Sequence, residues 1–137
     1  MINSRDVITM KIPYPNMNGN LAFKPHMYIC KKSDAPLHEF IKCQTLKPYM
    51  LNSNIIKHYY DEDPDLSRNP FRHTTRIDCD KLFQTLSVMY NPRLKTGSRP
   101  DVCDELFRNL LKELEADGFE TININEDELR QLNPLIV

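Results

Sequence analysis

Val102, Leu106, Leu110 and Leu114 recur every four positions, flanked by Cys103, Phe107 and Leu111, and this wide apolar stripe is the clearest helical period in the chain. It predicts an amphipathic helix from about Pro100 or Asp101 to Glu115, with Ser98 or Asp101 as the cap and Gly118 as the stop. What precedes it has the period of strands. In Val7–Ile12, Val7, Thr9 and Lys11 fall on one face, and Ile8, Met10 and Ile12 on the other. His26–Cys30 is short, aromatic and β-branched, and Pro25 can sit only at its start or edge. Lys31–Pro36 has the composition of a polar turn. His38–Thr45 returns as a third strand, with Phe40, Lys42 and Gln44 opposite Ile41, Cys43 and Thr45, and Leu46-Lys47-Pro48 ends the pairing.

The later segments follow the same logic. Residues 49–72 form an elaborated surface connection, within which Ile55–Tyr60 is compatible with a strand or with one helical turn. Thr74–Phe83 carries an alternating strand signal in Thr75, Ile77 and Cys79, and Gln84–Val88 can continue as the next strand. Met89–Ser98 is rich in turn formers. Beyond the helix, Phe119–Ile124 has the pattern of a short strand and Glu126–Leu132 that of a short helix capped by Asn125. Five or six strands followed by one helix do not make a parallel α/β sheet, which needs a helix between strands. The expected fold is mainly β (α+β): a small, mostly antiparallel barrel with the C-terminal amphipathic helix packed on it. At 137 residues and 40% hydrophobic content, a single domain with one modest core is expected.

Apolar runs fall far short of the roughly 20 residues that span a bilayer, and the N-terminus lacks the apolar stretch of a signal peptide. A cytoplasmic protein with no membrane partner is expected. The four cysteines, Cys30, Cys43, Cys79 and Cys103, form no C-x-x-C pair and accompany no paired-histidine motif, which favours buried free thiols over a metal site or a disulfide framework. The formal charge of −1 conceals segregation. Between Asn20 and Tyr60, Lys24, Lys31, Lys32, Lys42, Lys47 and Lys57 face only Asp34 and Glu39. Between Leu66 and Pro100, Arg68, Arg72, Arg76, Lys81, Arg93, Lys95 and Arg99 face only Asp78 and Asp80. A basic face for a polyanion such as RNA is one consequence, and an ordinary solvated surface is the other.

With three glycines and no phosphate-binding loop, nucleophile triad or metal box, the sequence points to no cofactor and no metal. About a dozen residues rich in turn formers separate the first two strands, and loops of that length in compact domains are usually functional or mobile. They lead into Lys24-Pro25-His26. If the first three strands pair antiparallel, the start of the second lies near the end of the third, Lys42–Lys47. Lys24, His26, Lys42, Gln44, Thr45 and Lys47 would then gather cationic, amide and hydroxyl groups able to bind a phosphodiester without a metal. Each also has a plainer reading: exposed lysines, a strand threonine, a hydrogen-bonded histidine, and a glutamine that satisfies backbone groups at a sheet end.

The early strand at Arg5-Asp6-Val7-Ile8, the long loop, Lys24-Pro25 before an apolar strand, and Ile41-Lys42-Cys43-Gln44-Thr45 resemble the MazF/PemK (Kid) toxins of type II toxin-antitoxin systems. Asp78-Cys79-Asp80-Lys81-Leu82-Phe83, the turn at Asn91-Pro92-Arg93-Leu94 and the helix after Pro100 follow in that family's order. The similarity covers roughly residues 5–115. It implies an SH3-like barrel, a homodimer, an antitoxin partner, and sequence-selective, metal-independent cleavage of single-stranded RNA. Lys24 falls where the family carries a catalytic arginine, and Thr45, or Gln44 with a one-residue shift, falls on its threonine. The lysine departs from the family: an ammonium is a flexible point charge without the planar fork of a guanidinium. For such a cleavage His26 is a candidate base. Asn16, Asn18 and Asn20 would read base edges, and Tyr14 or Phe23 would stack, in a loop closing over the RNA. Alternatively, these aromatics pack on the barrel and the asparagines only make turns. An insert at about 49–72 and an extension after about 117 depart from the family's compact length. A non-catalytic protein on the same barrel, either a gyrase poison like the CcdB toxins or an RNA-binding module, is the competing expectation.

Overall fold

The computed structural model describes residues 1–13, 24–52 and 56–137. Seven strands among these residues form one sheet: β1 (Val7–Met10), β2 (His26–Asp34), β3 (Leu37–Thr45), β4 (Tyr59–Glu62), β5 (Thr75–Asp78), β6 (Lys81–Thr85) and β7 (Glu120–Asn123). Helix α1 (Asp104–Asp117) joins β6 to β7, and α2 (Glu126–Leu132) follows. The order across the sheet is β1-β2-β3-β5-β4, with β6 also on β3 and β7 beyond β6. β6 and β7 run parallel, as a strand–helix–strand crossover requires, and the other pairs are antiparallel. The chain is mainly β with two packed helices, and among the described residues no pairing joins β1 to β4 or β7, so the sheet is open.

The central strand is β3. One edge pairs with β2, while the other is divided: His38–Phe40 pair with β6 and Cys43–Thr45 with β5. Alternation along β3 then feeds two cores. Ile41 and Cys43 join Val7, Ile29, Ile77 and Leu82 under the α1 stripe of Val102, Leu106, Leu110 and Leu114. Phe40 joins Ile8, Met10, Tyr28 and Phe83 on the opposite face, closed by Leu129 of α2 and by Ile136. Cys30, Cys43 and Cys79 are buried and Cys103 is half-buried, all free thiols. Burial pushes Cys30 and Cys79 up to about 12 and Cys43 well above its usual value, so these thiols stay protonated.

The helix begins later than its sequence pattern predicts. Residues 100–102 are drawn instead to the free edge of β1, where Val7 N–H donates to Pro100 O (2.8 Å) and Val102 N–H to Arg5 O (3.0 Å). Cys103 becomes the cap, its Sγ accepting from Leu106 N–H at 3.4 Å. Gly118 ends the helix as expected, at φ 73° and ψ 172°. The expected turn at Lys31–Pro36 is shorter, because β2 continues to Asp34 with Lys32, Ser33 and Asp34 opposite Glu39, His38 and Leu37. A bulge between Cys30 and Lys32 absorbs the extra residue.

Neither segment outside the resemblance is peripheral. Residues 49–72 supply β4 and the buried Asn69 and Phe71. Past Asp117, the chain adds β7, α2 and a side-chain clasp on the β1 side. Asn133 Oδ1 accepts from Lys11 N–H at 2.8 Å, and its Nδ2 donates to Lys11 O at 2.7 Å. His58 ties the approach to β4 onto α1, with its ring nitrogens 2.5 and 2.6 Å from Glu113 and Asp117. Leu110→Ala should lower the urea-unfolding free energy by about 2–5 kcal/mol, the cost of a cavity in a fully buried row. Gly118→Ala should cost about 1–3 kcal/mol in the same measurement; no atom lies within 4 Å of the added Cβ, so the loss would be of backbone origin.

Candidate functional site

The face of the sheet opposite α1 is apolar at one end and polar at the other. Met27 pairs with Cys43, Tyr28 with Lys42 and Met10 with His26, so His26 and Gln44 come one residue beyond the last β2–β3 pair and share a face by alternation. Gln44 in turn lies opposite Arg76, and Arg76 opposite Asp61. Lys42 and Asp78 fall on the same face, two residues along their strands. His26, Lys42, Gln44, Arg76, Asp78, Asp61 and Tyr59 thus make a polar half-face that adjoins the Phe40–Tyr28 core.

Its centre is a buried carboxylate. Asp78 is fully buried; its Oδ1 accepts from Gln44 Nε2 at 3.3 Å, and its Oδ2 lies 3.5 Å from Lys42 Nζ. The latter separation is an ion pair too long for a strong hydrogen bond, and Asp78 Oδ2 and Tyr28 Oη are both buried without a hydrogen-bond partner among the described residues. Burial raises the Asp78 carboxyl above its ordinary value, with Lys42 the largest opposing influence. The Tyr28 phenol is also pushed up, first by burial and then by Cys43 and Asp78. Beside this pair, Arg76 grips Asp61 through two bonds of 2.8 Å and donates to Met50 O at 3.0 Å. Its guanidinium carbon lies 3.5 Å from the centre of the Tyr59 ring.

His26 stands at the edge of this cluster, half-buried. Its Nδ1 lies 2.9 Å from the carbonyl oxygen of Lys24; a carbonyl can only accept, so Nδ1 carries a proton and neutral His26 has its lone pair on Nε2. Burial lowers its pKa below 6.5, opposed by that carbonyl and assisted by the charges of Lys42 and Lys24. At neutral pH it is therefore a neutral imidazole flanked by two cations.

The expected residues sort clearly against this geometry. His26 and Gln44 stand at the adjoining ends of β2 and β3 on one face, with Lys24 exposed at the entry to β2. Thr45 lies opposite Thr75 in the ladder, and alternation puts it on the α1 face, away from Gln44. Lys42 is 6% exposed and paired with Asp78, so its ammonium is turned inward and is not free at the surface. Lys47 is exposed beyond the end of β3. Tyr14, Asn16, Asn18, Asn20 and Phe23 lie outside the described residues. Arg76, Asp78, Asp61 and Tyr59 escaped the sequence reading, although the alternation that put Ile77 and Cys79 on one face already put Arg76 and Asp78 on the other. Among the described residues, no group of three or more histidine, cysteine or acidic side chains could hold a metal ion, and no helix is long and apolar enough to cross a membrane.

Compared with known proteins, the chain matches no family model, no curated protein and no solved structure.

Removing one member of a buried ion pair strands the other. Asp78→Ala should therefore destabilise the protein by about 3–5 kcal/mol in chemical denaturation, and combining it with Lys42→Met should recover a large part of that loss.

Proposed function

We propose that this protein is an endoribonuclease that cuts single-stranded RNA without a metal, acting as the toxin of a toxin-antitoxin pair of the MazF/PemK kind. The observation that carries this reading is the placing of a neutral, half-buried imidazole, an amide and a lysine around the adjoining ends of β2 and β3. The same reading takes the open sheet, with β3 divided between β5 and β6, as a version of that family's SH3-like barrel. It also takes a homodimer as the working unit, with an antitoxin segment competing for the RNA face.

In the proposed reaction, His26 Nε2 takes the proton of a ribose 2′-hydroxyl, whose oxygen forms a bond to the adjacent phosphorus while the bond from phosphorus to the 5′-oxygen breaks. Lys24 neutralises the phosphate and hands a proton to the departing 5′-oxygen. Gln44 has two amide N–H donors, and with one engaged by Asp78 the other is available to a phosphate oxygen. The products are a 2′,3′-cyclic phosphate and a 5′-hydroxyl end. Asp78 and Lys42 act on this set through Gln44 and His26 rather than by touching RNA. Thr45, on the other face, is assigned no part in the chemistry.

Purified protein incubated with a long single-stranded RNA in EDTA should give defined cuts bearing cyclic phosphate ends. Lys24→Ala and His26→Ala should each lower kcat/KM by about 100-fold or more, the ordinary range for losing an acid or a base. RNA retained uncut by the wild-type protein would turn the reading to a plain binding module, and neither cuts nor retention would exclude both. The acid limb of the kcat/KM profile should lie below pH 6.5, because a lowered imidazole pKa keeps the base form present in more acidic solution. His26→Ala should abolish that limb.

A further inference from the structure

A cavity of about 450 Å³ opens on the α1 side of the sheet, lined by Thr9, Met27, Pro70 and Arg72 together with residues 93–98. Thr9 and Met27 are cross-strand partners, one residue along from the Met10–His26 pair, so the cavity begins next to the candidate base on the other side of the same strand ends. Among the described residues, no acidic side chain lines it.

Its charge is unusual within this molecule. Of the eight arginines in the chain, Arg5, Arg68, Arg76, Arg99, Arg108 and Arg130 are each paired with a carboxylate. Arg72 and Arg93 have no ion-pair partner among the described residues, and both line this cavity and are exposed. The third cation, Lys95, is held 3.0 Å from Asp6 and adds little net charge. Thr96 is committed too, its Oγ1 donating toward Arg99 O at 2.5 Å. Gly97 and Ser98 differ: their backbone N–H groups bond to no protein atom among the described residues, and an added Cβ on Gly97 would meet nothing within 4 Å. Two unneutralised guanidiniums, two free amides, and an apolar wall from Met27, Leu94 and Pro70 meet in one concavity. The guanidinium fork suits the oxygens of a phosphate, and the apolar wall suits the flat face of a base.

We propose that this cavity is a nucleotide subsite, in which Arg72 and Arg93 hold one phosphate and the Met27–Leu94 wall carries the attached base. Resting on the ribonuclease reading, the occupant is a nucleotide of the RNA next to the one being cut. Arg72 and Arg93 are then binding residues that set which stretch of RNA is presented to His26.

The test uses a single-stranded oligodeoxynucleotide, which lacks the 2′-hydroxyl and cannot be cut by this route, with AMP and inorganic phosphate as smaller probes. Fluorescence anisotropy across a salt series should show the oligonucleotide binding at least tenfold more weakly to the Arg72→Ala/Arg93→Ala variant. The slope of log affinity against log salt should fall by about 0.7, the value for one single-strand phosphate that is no longer neutralised. AMP should shift the amide resonances of Gly97 and Ser98 in the wild type and not in the variant, and more strongly than inorganic phosphate does. Circular dichroism melts should be unchanged, since both side chains are exposed. Equal affinity and slope in the two proteins would overturn the proposal, as would arginine-dependent capture of an acidic peptide with no response to oligonucleotide or AMP. If the wild type binds in this arginine-dependent way but never cuts RNA, the catalytic reading fails and the subsite stands.

Discussion

A strand that must satisfy two neighbours along one edge constrains nearly everything else in this molecule. The first half of β3 bonds to β6 and the second half to β5, while its other edge is occupied by β2. Side chains along it alternate between two cores, so its middle is buried on both faces and only its two ends are partly exposed. A one-residue slip would carry Phe40 under α1 and Ile41 into the opposite core, and would expel Lys42 from Asp78. Register in β3 thus fixes the apolar packing and the polar half-face by the same geometry.

The polar half-face is costly by ordinary standards. A carboxylate, an ammonium and a guanidinium are all buried on one side of a small sheet, and two oxygens there lack hydrogen-bond partners among the described residues. Buried ion pairs of this kind seldom stabilise a fold as well as apolar packing would. What they provide is a fixed electrostatic surrounding: Lys42 is held where it discourages protonation of His26, and Asp78 is held where it orients the amide of Gln44. The strain of such a cluster is borne by two cores that enclose the rest of the sheet.

Much of this was legible in the residue pattern. The stripe on α1, the stop at Gly118 and the cap at Asn125 follow from local chemistry, and each stands where its residues put it. The faces of β1 and β3 follow from alternation in the same way. What escaped was set by partners distant in the chain. Residues 100–102 have helix-compatible composition, yet β1 needs their backbone groups, and the helix yields. Lys31–Asp34 has the composition of a turn, yet Glu39, His38 and Leu37 stand opposite, and an ion pair of 3.7 Å joins Lys31 to Glu39. Of the site, the neighbourhood of Lys24, His26 and Gln44 was visible because antiparallel pairing brings strand ends together. The inward pairing of Lys42 was not, since a lysine on a strand gives no sign of a buried aspartate 36 residues away.

The clasp that Asn133 makes on Lys11 imitates one rung of a β-ladder with a side chain in place of a strand. It holds the backbone two residues before Pro13, where the described part of the first crossing ends. The far end of the chain is therefore a hinge pin for the root of the first connection. Domains fused behind Val137, or proteases that nibble there, would act mechanically on the opposite terminus, and two regions separated by more than a hundred residues would be inherited as one part.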